Sequence, residues 1–450
     1  MQTFFLSFRV IPGPENTYVN NIEGAQASCW ICDDDPHSAL AKARFKVEQY
    51  EWEIVGLEVA PTPKTQEEFR RDDIGLEQFN SAQKNGIAIV FVAVSSSQKS
   101  ASKPINLMLS DNFSLSSYLT EIKTLRQKGC CLHFAAGAEC TKSIDAHSVQ
   151  KNGALSKIAD GGEVYVISKN HSDFKKSNGG ITYVKQGINR VSTFRGFCEY
   201  HDNRLFEPID NFPLAPTPQQ MLLYAYRSLC REIFVKANAV SLYESQASRF
   251  RGQKATYELF ENVRRGTIVG LERLLKQKGE YDTSLRAESF TDVKSVLFCS
   301  KQKPSLVFSG LFYPDFSFMG VQLQDLSDSG LKKDLMTFSF TPMEDGWGIL
   351  FAWHSSSSGA CVPFMRSLAT LVFENGKLAD HLLRLVISNC ENVAISPNWW
   401  DSLTDQQKGE IAKTARYGSN MFLAPQSDYL VCGLENISEW RFERVISNMV

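Results

Sequence analysis

Apolar and polar positions along the chain change spacing several times, and each change marks an element. Residues 3–10 and 25–31 carry the apolar density and alternation of strands. Residues 36–49 switch to helical spacing, with Ala39, Ala41, Ala43 and Phe45 at the small or apolar positions. Asp33, Asp34 and Asp35 lie just upstream, where acidic side chains favour a helix N-terminus. Residues 52–59 read as a strand, 65–84 as a helix and 86–94 as a strongly apolar strand. This β-β-α-β-α-β order predicts a ferredoxin-like sandwich over residues 1–95. The polar stretch 95–104 reads as a linker or long loop.

Residues 215–300 read as mainly helical. Thr217 is a natural N-cap, Pro218 suits the first helical position and Gln220 the third. Leu222, Tyr226, Leu229 and Ile233 mark one buried face. A second helix, 256–277, places Phe260, Val263, Ile268, Leu271 and Leu275 at helical spacing and is expected to end near Gly279. Residues 301–450 mix the two periods. Strands are expected at 305–312, 335–340 and 348–353, with Glu344, Asp345 and Gly346 turning between the last two. Helices are expected at 364–373, 377–389 and 405–416.

Length supports this division: 450 residues exceed one ordinary core. Composition is that of a globular chain, 43% apolar, 22% charged and 11% aromatic. A net charge of -2 argues against general polyanion binding by the whole chain. Locally, residues 121–205 hold 13 Lys and Arg against 8 Asp and Glu, which suits a phosphate-facing surface. No apolar run is long enough to span a bilayer, and residues 1–9 lack a basic lead into an apolar core, so they read as a strand and not a signal peptide. Eleven scattered cysteines, an odd number, suggest free thiols in a reducing, cytoplasmic setting.

The chemistry concentrates in residues 105–212. Cys131 and Cys140 form one pair, Cys198 and His201 another at Cys-x2-His spacing. Two such pairs can supply tetrahedral zinc from two corners of the chain. Cys130 and His133 are close enough in sequence to replace Cys131. His147, in Asp145-Ala146-His147, is left over, and an imidazole can act as a base near neutral pH. Between His147 and Cys198 lie Gly161-Gly162 and Ser177-Asn178-Gly179-Gly180, which predict an extra hairpin.

The stretch Ile144-Asp145-Ala146-His147 followed by Gly196-Phe197-Cys198-Glu199-Tyr200-His201-Asp202-Asn203 resembles the HNH (His-Me finger) nuclease pattern. That resemblance implies a zinc-stapled ββα module within an α+β, multidomain chain. It implies cleavage of DNA or RNA phosphodiesters with Mg²⁺ or Mn²⁺. His147 takes the general-base position, and Asp202 or Asn203 the metal-binding position. Asn189, or next Asn170, stands for the middle asparagine. Asp145, two residues before His147, is a candidate ligand of the catalytic ion. Arg195 and Arg204, with Lys142, Lys151, Lys157, Lys169, Lys175, Lys176 and Arg190, are candidate phosphate contacts. Phrases such as Ala146-His147-Ser148-Val149-Gln150 also resemble those of uncharacterised bacterial proteins linked to defence against phage or mobile DNA. The rival is a non-enzymatic sensor or scaffold whose zinc only holds the fold and whose flanking domains bind protein partners or a second copy.

Other motifs carry bland expectations. Cys29 and Cys32, with His37 beyond, sit on alternating sides of a strand, which disfavours a redox pair. His354 and Cys361 allow a Cys-His nucleophile pair, but a serine-rich helix cap suits the sequence better. Trp399 and Trp400 offer stacking faces or, more simply, core aromatics after a Pro397-directed turn.

Overall fold

The fold is that of a computed structural model, which describes residues 2–13, 16, 24–69, 73–93, 113–168, 173, 181–326, 332–375, 378–419 and 427–449. The expected linker 95–104, together with Asn170, Lys169, Lys175, Lys176 and the 177–180 turn, lies outside the described residues.

In the N-terminal sheet, β1 (Gln2–Pro12), β2 (Ala25–Asp33), β3 (Trp52–Lys64) and β4 (Ile87–Ala93) pair antiparallel in the order β3-β1-β2-β4. Helix α1 (Pro36–Gln49) has the expected bounds, because Asp35 caps it by accepting from the His37 and Ser38 amides and Pro36 opens the first turn. The expected single helix at 65–84 is instead a 3-10 turn, Gln66–Phe69, and helix α2, Asp73–Asn85. Strand alternation decides the layering. Phe4, Leu6, Phe8 and Val10 face Leu40 and Val47 of α1, whereas Phe5 and Trp30 face Phe79 and Ala82 of α2. The two helices therefore cover opposite faces. A ferredoxin-like sandwich keeps its helices on one face, so that expectation is corrected to a three-layer α/β/α arrangement.

Two long antiparallel helices, α4 (Pro218–Arg249) and α5 (Lys254–Arg286), follow. Thr217 caps the first through the Gln220 amide. The second does not stop near Gly279. Tyr281 and Leu285 remain buried, and the Thr283 hydroxyl donates to the Gly279 carbonyl, so packing carries the helix through. Leu275, expected inside, is exposed. An unexpected helix, α3 (Leu115–Gln127), packs Tyr118, Ile122 and Leu125 against the far end of this pair.

An eight-stranded antiparallel sheet forms the main body. Its strands are β6 (Glu163–Ile167), β7 (Tyr183–Gly187), β9 (Val293–Ser300), β10 (Leu306–Phe312), β11 (Met336–Met343), β12 (Gly346–His354), β13 (Val393–Ile395) and β14 (Arg444–Ser447), in the order β14-β9-β12-β11-β10-β13-β6-β7. The β6–β7 pair is the extra hairpin expected in the insertion, and it joins this sheet through Tyr165 opposite Ile395. β9 falls within the stretch expected to be helical. Helices cover both faces: Leu297, Leu350 and Ala352 meet α4, while Val296, Phe298, Ile349 and Phe351 meet the core built on Phe364, Leu368, Leu382 and Val386. The N-terminal sheet docks by its β3 edge, where the Leu57 amide donates to Asp428 Oδ2 at 2.8 Å.

Candidate metal centre

Backbone ladders bring the cysteine arms together. The Cys130 and Leu132 amides donate to the Arg195 and Gly196 carbonyls, and the Ile144 amide donates to the Phe197 carbonyl. Residues 195–197 thus run between residues 130–132 and the strand leading to β5 (Ala146–His147). β5 pairs with β8 (Thr193–Phe194), Ala146 opposite Phe194 and His147 opposite Thr193. A helix, Glu199–Asp210, begins directly afterwards with Cys198 at its N-cap. Gly196 permits the crossing: a Cβ there would stand 2.5 Å from the Phe194 ring.

This scaffold gathers Cys131, Cys140, Cys198 and His201, whose ligand atoms all lie within 4.8 Å of one another. Cys131 Sγ is 3.8 Å from Cys198 Sγ, and His201 Nδ1 is 3.5, 3.6 and 3.3 Å from the sulfurs of Cys131, Cys140 and Cys198. With zinc–sulfur bonds of about 2.3 Å and zinc–nitrogen bonds of about 2.0–2.1 Å, a tetrahedron has edges of about 3.8 Å between sulfurs and about 3.6 Å from sulfur to nitrogen. The donor set therefore fits zinc in identity and spacing. Cys130 is exposed and outside the cluster. His133 stacks on His201 at 4.0 Å between centroids and accepts from the Ala135 amide, so it supports a ligand and is not one.

The thiols are unequal. Burial pushes Cys131 up to about 11. Cys198 carries the same burial penalty, but hydrogen bonds from the His201 and Thr141 backbone and contacts with Cys131 and His201 hold it down at about 6. Cys198 is thus held as a thiolate more readily than Cys131.

His147 sits on β5, half-buried, and its Nε2 donates to the Ile188 carbonyl at 3.3 Å. That bond leaves Nδ1 as the basic nitrogen of the neutral ring. Burial lowers its pKa, outweighing the Ile188 bond. Asp202, on the Glu199–Asp210 helix, is 7% exposed, and its Oδ1 has no partner among the described residues. Burial raises its carboxyl to about 6. Both groups feel the same ion pair: Arg227, on α4, is 3% exposed, grips Asp210 with contacts of 2.6 and 2.5 Å and lies 4.0 Å over the Phe206 ring. Sequence reasoning missed the Arg227–Asp210 pair. Its one signal was an arginine amid the apolar positions of a helix that buries most of its first four turns.

Asp145 pairs with Arg195 Nε at 3.2 Å, and Arg195 Nη1 also donates to the Gln127 carbonyl. Arg204 stacks over Tyr200 at 5.1 Å and bonds its hydroxyl. Asn189 and Asn203 are exposed on the 188–190 turn and the Glu199–Asp210 helix. Lys142 pairs with Glu199.

Elsewhere, Cys29 and Cys32 point into different cores, and Cys32 bonds the Ala82 carbonyl. Cys361 is fully buried, with burial pushing its thiol far up, while His354 caps the Ser355–Ser357 turn and pairs with Glu280. Trp400 is buried in a short helix, Pro397–Ser402. No helix among the described residues is long and apolar enough to cross a membrane. Comparison with protein-family models, curated proteins and solved structures finds no match to this chain.

Proposed function

We propose that the chain is a metal-dependent nuclease whose zinc-stapled ββα module cleaves phosphodiester bonds of DNA or RNA. The observation that carries this reading is His147. It lies on the strand pair that the zinc holds against a helix, and its Nε2 bond to Ile188 leaves Nδ1 free of a fixed donor role. Being held below its ordinary pKa, the ring is neutral at pH 7 and can take a proton from an attacking water.

A divalent ion would supply stabilisation of charge on the leaving oxygen. Asp202 fits as one of its ligands, since its buried Oδ1 is an oxygen without a partner among the described residues. Asp145 does not fit, because Arg195 already neutralises it. Defence against phage or mobile DNA is the setting that the resemblance in residues 144–203 suggests.

A second reading, a sensor or scaffold with a purely structural zinc, draws support from the same map. Arg195 and Arg204, the expected phosphate contacts, are engaged within the module with Asp145, the Gln127 carbonyl and Tyr200. Zinc content and cleavage, measured together on wild type and His147→Ala with Mg²⁺ or Mn²⁺, separate the two. The nuclease expects one zinc in both proteins and cleavage in the wild type alone. Zinc in both and cleavage in neither, on single- and double-stranded DNA and RNA, overturns it in favour of the scaffold.

A further inference from the structure

Ser148, the residue after His147, is held by a side chain 244 residues away in sequence. Ile188, whose carbonyl accepts from His147, opens a short segment ending at Ser192. Ser192 has a left-handed backbone, φ 60°, without being glycine. Such a conformation costs free energy and persists only where surrounding bonds enforce it. Here the bonds come from Ser148, the residue after His147. Its amide donates to the Ser192 carbonyl, and the two hydroxyls lie 2.7 Å apart. The Ser192 hydroxyl accepts from the Val149 amide as well.

Asn392 completes this arrangement from the loop before β13. Its Nδ2 donates to Ser148 Oγ at 2.9 Å and to the Ser309 carbonyl on β10 at 3.0 Å. Both amide hydrogens are thus used, one on the module and one on the main sheet. The anchor behind it is polar and buried: Ser309 Oγ meets Ser228 Oγ of α4 at 2.8 Å, and Ser228 meets Ser339 of β11 at 3.1 Å.

We propose that Asn392 is a positioning residue for His147, carrying the placement of the main sheet through Ser148 and Ser192 into the turn that fixes the imidazole. The catalytic part of this proposal rests on His147 being the base of the nuclease; the structural part does not.

The test uses the full, zinc-loaded chain with nitrogen-15 histidine, at a pH where the His147 ring is neutral. Wild type is expected to show the Nε2-protonated tautomer. In Asn392→Ala the tautomer ratio shifts about fivefold, the scale of one lost hydrogen bond in a network. Ser148→Ala, which removes a single hydroxyl, gives a shift of similar size, and the double variant adds little to either. On nucleic acid, kcat falls about tenfold while KM holds, as misplacement of a base predicts. Unchanged ring signals in Ser148→Ala and in folded Asn392→Ala overturn the proposal, as does a fully additive double variant. If the wild type cleaves nothing, the nuclease reading fails separately, and the tautomer ratios alone decide the role of Asn392. Should Asn392→Ala not fold, Ser148→Ala decides it.

Discussion

The Cys3His cluster predicts a bound zinc, and removing it is the sharpest perturbation this architecture offers. The arm carrying Cys131 and Cys140 has little core of its own: Cys131, Leu132 and Phe134 are only half-buried against the helical core. The Glu199–Asp210 helix is anchored independently, with Phe197, Phe206 and Ile209 fully buried beside Leu222, Leu223 and Tyr226. Chelation should therefore melt residues 131–142 and leave the helix docked. At free zinc of about a hundredfold Kd, binding stabilises the native state by about 2.7 kcal/mol. At about 2–4 °C per kcal/mol for a cooperative unit of this size, chelation lowers Tm by about 5–10 °C. The melting point and limited proteolysis are read with and without a zinc chelator, and zinc is counted by mass spectrometry. Protons compete for the same atoms. Because these ligands bind a metal in their deprotonated forms, zinc affinity is expected to fall as pH drops. Cys140→Ser should match the chelated wild type. A chain that binds one zinc, yet shows unchanged Tm and no new cleavage within 131–142 when it is stripped, refutes the reasoning.

Two further perturbations probe the frame around the site. Asp202 has a folded pKa raised to about 6 by burial, so the unfolded chain releases this proton first as pH rises. The penalty is absent at pH below about 4, grows through pH 4–6 and is complete above 6, reaching up to about 3 kcal/mol. Asp202→Asn should therefore raise the denaturant midpoint at pH 7 and leave it unchanged at pH 3.5; equal midpoints at both values would count against burial as the cause. Gly346→Ala should cost about 2 kcal/mol in chemical denaturation, because φ is +112° and an added Cβ would meet the Ser300 carbonyl oxygen at 2.2 Å. A neutral result there would mean the β11–β12 turn relaxes freely.

How much of this was legible in the sequence follows from the range of each interaction. Helix Pro36–Gln49 was readable to the residue because its cap and its first-turn proline are adjacent in the chain. The Cys3His set was readable because residue type alone restricts which side chains zinc accepts, although the choice of Cys131 over Cys130 needed the ladder to residues 195–197. β9 was missed because the sheet is covered on both faces. Its residues are nearly all buried, and alternation, the usual mark of a strand, disappears. The helix Leu115–Gln127 buries no residue fully, so its sequence shows only a weak stripe.

The harder failures share one cause. Gly279 looked like a stop signal, but Tyr281 and Leu285 had partners in the main sheet's core that outweighed it. The two helices of the N-terminal domain were assigned to one face because element order is blind to which side of a sheet a helix crosses. The partners of Arg227 and Asn392 could not be read from neighbouring residues, since each acts on residues that the chain reaches only after folding. Zinc chemistry is local and visible; the placement of His147 is distributed over β5, the 188–192 turn, α4 and the main sheet. A short motif can therefore locate the module in the sequence, while the precision of its histidine depends on residues from the rest of the protein. That is why His147→Ala and Asn392→Ala ask different questions. The first removes the proposed base, and the second leaves every group of the module in place while releasing its support.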